Sequence, residues 1–101
     1  MILRKSIVLV GMMGSGKTAV GNALSKILAI EHVDSDEEIV KAANRSIAEI
    51  FERDGETFFR KRESEILNRI LDGKPKIISI GGGAFSSPLN RKLISQKGIS
   101  V

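Results

Sequence analysis

Apolar positions fall into two rhythms along the 101-residue chain. Two short runs rich in β-branched residues lack polar alternation, as expected of strands buried on both faces of a parallel sheet. One spans Ser6–Val10; the other spans Lys76–Ile80, bounded by Pro75 and Gly81–Gly83. Between them the spacing turns helical, with Val20, Ala23, Leu24, Ile27 and Leu28 recurring on one face. A short second strand is expected at Glu31–Asp34. Ser35 with Glu38 forms a capping box for a helix carrying Ile39, Val40 and Ala43, with Asp34 as the alternative cap. Ser46 with Glu49 forms another, starting a short helix that turns Ile47, Ile50 and Phe51 inward and stops at Asp54–Gly55. A longer helix follows over about Glu56–Leu71. Ser87–Pro88 reads as the N-cap and first residue of a helix to about Gln96, closed by Gly98, with a fourth strand beginning at Ile99–Val101. Strands alternating with helices predict an α/β fold, three layers α/β/α around a parallel sheet, in a single domain over 1–101 that breaks off in its fourth strand.

Composition narrows the function classes. Hydrophobic residues make up 42% of the chain, and no apolar run approaches the roughly 18 residues of a membrane span, so no membrane partner is expected. The start lacks a small-residue cleavage site, and there are no cysteines, which excludes disulfides and thiolate metal sites and fits a cytoplasmic protein. The net charge of +4 is unevenly spread: residues 1–30 carry four cations and no acids, 31–72 seven cations and twelve acids, and 73–101 five cations and no acids. These cations are scattered and the four aromatics are all Phe, so no base-stacking platform is present and nucleic acid is not expected. A small phosphate-bearing ligand suits the basic ends better.

Four segments carry candidate chemistry. Gly11-Met-Met-Gly14-Ser15-Gly16-Lys17-Thr18 fits G-x-x-x-x-G-K-[ST] between a buried strand and a helix. There the glycines let backbone N–H groups face phosphate oxygens, Lys17 reaches the β- and γ-phosphates, and the Thr18 hydroxyl ligates Mg²⁺. Asp34-Ser35-Asp36 follows at the C-terminal end of the second strand, where ligands of open α/β sheets bind. Phosphoryl transfer needs one acid near the metal and another to hold or deprotonate the attacking hydroxyl; alternatively, acids simply favour a helix's first turn. On the long helix, Glu63 falls near the centre of the stripe of Phe59, Ile66, Leu67, Ile70 and Leu71, with Arg60 on its flank. These two either form a structural ion pair, or Glu63 orients Arg60 to grip an anionic substrate group. Lys61 and Arg62 point more nearly to solvent. Gly81-Gly82-Gly83 ends the third strand and lets a ligand approach the backbone closely. His32, without a partner His or Cys, reads as structural or exposed.

In order, spacing and neighbouring residues, GMMGSGKT (11–18), DSDEEI (34–39), GETFFRKRE (55–63) and GGG (81–83) resemble the shikimate kinases. The resemblance implies a P-loop kinase fold and ATP-dependent phosphorylation of the 3-hydroxyl of shikimate, in aromatic amino acid biosynthesis. It implies that Gly14 to Ala19, with Gly11, bind ATP phosphates, that Thr18 and Asp34 hold Mg²⁺, and that Lys17, Asp34 and Asp36 are catalytic. Asp36 holds the accepting hydroxyl, Arg60 the carboxylate and Gly81, Gly82 and Gly83 the ring hydroxyls. Shikimate kinases continue through a lid arginine, a second carboxylate-binding arginine and a final strand, so this sequence resembles their N-terminal portion. A monomer is expected of the full domain, and self-association of a truncated one through uncovered apolar surface. Two alternatives are a small P-loop kinase of the gluconate kinase type and a non-catalytic nucleotide-binding remnant.

Overall fold

The computed structural model describes residues 5–10 and 15–100, with side chains described except at 15–18, 82 and 100. Four strands, β1 (Ser6–Val10), β2 (His32–Asp34), β3 (Ile77–Ile80) and β4 (Gly98–Ser100), form one sheet in the order β2-β3-β1-β4. Every pair is parallel, with Ile7 opposite both Ile77 and Ile99, and Asp34 opposite Ser79. β3 is buried along its whole length, which is why its sequence shows no alternation. The helices are α1 (Ser15–Leu28), α2 (Ser35–Ala43), α3 (Ile47–Leu71), α4 (Gly82–Phe85) and α5 (Pro88–Lys97). The α/β architecture is as the alternation predicts; the one-turn α4 has no periodic signal in the sequence.

Local chemistry sets the helix boundaries. Ser46 and Glu49 form the expected capping box, and Ser87 with Pro88 starts α5 with its hydroxyl accepting from Asn90 N–H. For α2 the cap is Asp34, whose Oδ1 accepts from the N–H groups of Asp36 (2.9 Å) and Glu37 (3.3 Å). Ser35 is not the cap: it is buried, and its hydroxyl has no partner. The two helices expected over 46–71 are both present and meet within α3 at a kink at Gly55, where φ 85° and ψ 170° is non-helical backbone that residues with a Cβ avoid. Lys76 Nζ closes the far end of α3 by donating to the carbonyls of Ile70, Asp72 and Lys74.

The core joins β1, β2 and β3 to α2, α3 and α5 through Val8, Val33, Ile39, Ile66, Leu67, Ile78 and Ile94. Phe51 departs from the inward expectation: it is 36% exposed and packs its ring on Phe59 at a centroid distance of 4.7 Å. Val20 and Ile27 on α1 are likewise exposed. The fourth strand begins one residue earlier than expected, and Val101 lies outside the described residues. His32 is structural. Its Nδ1 lies 2.9 Å from Asn22 Oδ1, an acceptor, so in the neutral ring Nε2 accepts from Ser79 Oγ at 2.8 Å, tying α1 to β2 and β3.

A Cβ at Gly55 would meet no atom within 4 Å. Gly55→Ala therefore isolates the backbone cost of the kink and is expected to destabilise the chain by about 1–3 kcal/mol in a urea or thermal melt.

Candidate functional site

Three segments far apart in sequence reach the carboxyl ends of neighbouring strands. β2 runs directly into Asp34 and α2, and β3 runs into Gly81 and α4. β1 ends at Val10 and α1 starts at Ser15, the strand–loop–helix order expected of a phosphate-binding loop. Gly11 and Gly14 lie outside the described residues, as do the side chains of Ser15, Lys17 and Thr18 and the surroundings of Gly16. Ala19 is exposed on α1.

The other predicted residues converge. Asp36 stands in the first turn of α2, with Oδ2 3.9 Å from the position a Cβ at Gly81 would occupy. On α3, Glu63 is 3% exposed at the centre of the apolar stripe. Arg60 Nη1 donates to both of its oxygens at 3.1 Å. Arg60 Nε lies 3.7 Å from Glu56 Oε1, and the guanidinium sits 5.3 Å from the Phe59 ring centroid. A guanidinium held on two sides in this way has a fixed orientation. Of the two readings of the pair, the structure shows the ion pair.

Gly83 explains much of the glycine run. A Cβ there would lie 2.9 Å from Arg60 Nη1 and Nη2, so the guanidinium occupies space that only glycine leaves open. The close approach is made by the chain's own arginine. Gly82 begins α4.

Burial sets the electrostatics of the cluster. Desolvation, the largest influence, raises the Glu63 pKa above its ordinary 4.5; the hydrogen bond and charge of Arg60 oppose this, and the Asp36 charge adds to it. Lys61 lies on the solvent side as expected, and Arg62 pairs with Glu65 at 2.9 Å and covers Phe58.

Asn90 is the supporting residue that the sequence reading missed. It is fully buried on α5, accepts from Ser64 Oγ at 2.7 Å and donates to the Ala84 carbonyl at 2.9 Å. It thereby clamps α4, which follows the glycines, to the residue adjoining Glu63. A lone Asn two residues past a helix-starting proline carries no motif; only its place on the core-facing side of α5 could have drawn attention.

A family model described as shikimate kinase matches residues 13–101. The chain belongs to the shikimate kinase family. It is 59% identical over 99 residues to the shikimate kinase of Cereibacter sphaeroides, covering 98% of this chain and 50% of that protein. Identity to the Ruegeria pomeroyi shikimate kinase is also 59%, over 98% of this chain and 51% of the relative. Among solved structures, shikimate kinase from Acinetobacter baumannii in complex with shikimate superposes with a TM-score of 0.89 at 43% identity, covering 95% of this chain and 54% of that one. The Aquifex aeolicus enzyme superposes with a TM-score of 0.88 at 39% identity, over 94% and 56% of the two chains. The chain thus spans about half the length of the relatives it matches. The P-loop kinase fold of the family accounts for the parallel sheet and the strand-to-helix turns above.

Two outcomes follow from the cluster. Because the folded-state pKa of Glu63 is raised, folding takes up a proton between pH 4.5 and that raised value, and this contribution to stability is lost as pH rises through the window. Melts of the native chain at pH rising from 4.5 should show a loss of stability that Glu63→Gln does not show. Asn90→Leu, which orphans Ser64 Oγ and the Ala84 carbonyl, should cost about 1–3 kcal/mol in a denaturant melt.

Proposed function

We propose that this chain forms a single nucleotide-binding domain of a cytoplasmic shikimate kinase that binds ATP and shikimate for transfer of the γ-phosphoryl group to the 3-hydroxyl. The observation that carries the reading is the placement of Arg60, fixed by Glu63 against Gly83 and near Asp36, in a chain of this family. A relative of the same fold is a complex with shikimate, whose carboxylate suits a guanidinium held in this way.

In this reading Gly11, Gly14, Ser15, Gly16, Lys17, Thr18 and Ala19 surround the ATP phosphates, with Lys17 countering charge on the β- and γ-phosphates. Arg60 grips the substrate carboxylate, and the backbone of Gly81–Gly83 faces the ring hydroxyls. The 3-hydroxyl oxygen forms a bond to the γ-phosphorus as the bond from that phosphorus to the β–γ bridging oxygen breaks. The hydroxyl proton passes to the Asp36 carboxylate and ADP leaves. Glu63 acts only through Arg60.

The donors suit Mg²⁺. Asp34 spends Oδ1 on the N–H groups of Asp36 and Glu37, which fixes the carboxylate and turns Oδ2 to the metal in this reading, and Thr18 adds a hydroxyl oxygen. No group of three or more acidic or His residues forms a metal cage among the described residues; Mg²⁺ in kinases takes one or two carboxylates plus substrate phosphates. When bound, it neutralises charge on the transferring phosphoryl group.

Calorimetric titration of the chain with Mg-ATP and with shikimate, beside a coupled assay, tests the reading. Arg60→Ala should weaken shikimate binding by at least about 30-fold while sparing ATP, and Lys17→Ala should do the reverse. Asp36→Asn should lower turnover by about 10²–10⁴-fold with both ligands still bound. A cooperatively folded chain that binds ATP but ignores shikimate would overturn it.

A further inference from the structure

Helix α3 has a second functional-looking side. At about 100° per residue, Phe58, Arg62 and Arg69 lie roughly 160–180° around the helix from Arg60. There α2 and α3 enclose a cavity of about 460 Å³, within the size range of small-ligand sites. Its floor is core: Ile39, Ile50 and Ile66, all buried, with the half-exposed Phe58 as one wall.

The rim selects the ligand. Of its charges, Arg62 is paired with Glu65 at 2.9 Å and Arg69 with Glu38 at 3.5 Å. Among the described residues, Arg45, in the α2–α3 connection, and Asp54, beside the kink, are rim charges with no ion pair. One uncommitted cation and one uncommitted anion over an apolar floor complement a zwitterion with an apolar body. We propose that the α2–α3 cleft binds a free α-amino acid with a large apolar side chain, its carboxylate at Arg45, its ammonium at Asp54 and its side chain on Ile39, Ile50 and Phe58. This site is separate from the Arg60 cluster and does not depend on the proposed kinase reaction.

L-phenylalanine titrated into the ¹⁵N-labelled chain and followed by amide shifts is the test. Saturable shifts are expected at residues 39–45, 50–58 and 62–69, with a Kd on the order of a few millimolar, as small-ligand efficiencies allow. Arg45→Gln and Asp54→Asn alter exposed side chains, so the fold should survive, and each should weaken binding about three- to fivefold. 3-Phenylpropionate, which lacks the ammonium, should bind more weakly than phenylalanine and be insensitive to Asp54→Asn. Equal affinity of the two compounds would overturn the zwitterion assignment. Absence of saturable shifts, or shifts centred on Arg60, Glu63 and Gly81, would overturn the site itself.

Discussion

A carboxylate at the centre of an apolar helix face is tolerated only if a cation reaches it, because an unpaired charge there costs several kcal/mol of desolvation. Glu63 imposes that condition on α3, and Arg60, one turn earlier, meets it with a single nitrogen bonded to both oxygens. The guanidinium must then lie inward along the helix, and the surface it meets is the backbone of Gly83. Helix register, arginine rotamer and glycine turn are therefore one constraint.

The sheet supplies the frame for that constraint. With β3 between β1 and β2, the strand that ends in glycines stands beside the strand that ends in Asp34. Ligand crevices of open α/β sheets lie beyond such carboxyl ends. Asn90 then ties α4 to α3, so the turn that follows β3 and the helix that carries Arg60 share one buried amide. A three-way polar clamp of this kind is rigid because each partner left alone would be a buried, unsatisfied group.

Much of this was legible in the chain because local signals and global fold agree. Unbroken β-branched runs marked β1 and β3, the Ser46–Glu49 box marked the start of α3, and a charge centred in an apolar stripe marked Glu63. Where competing local signals coexisted, tertiary geometry decided: Asp34 and Ser35 both read as caps, and the extended backbone at 34 chose Asp34 while burying Ser35. Periodicity reports which residues share a face but not what lies over it, so Val20, Ile27 and Phe51 read as apolar faces and are nonetheless exposed. Gly83's partner and Asn90's clamp are long-range facts, set by contacts 23 to 26 residues away in sequence, and no local pattern encodes them.

Charge balance adds a last requirement. Arg60 pairs with Glu63 and, at longer range, with Glu56, while the Asp36 charge acts on Glu63, so one cation serves a cluster of three carboxylates. Glu56 is 68% exposed and screened by water, which weakens its share. Glu63 is buried away from that screening, so desolvation first, and the Asp36 charge after it, raise its pKa against the opposing hydrogen bond and charge of Arg60. The glycine-lysine segment follows β1 and the aspartates at 34 and 36 follow β2, with β3 between those strands, so basic and acidic stretches of the chain reach the same edge of the sheet two strands apart.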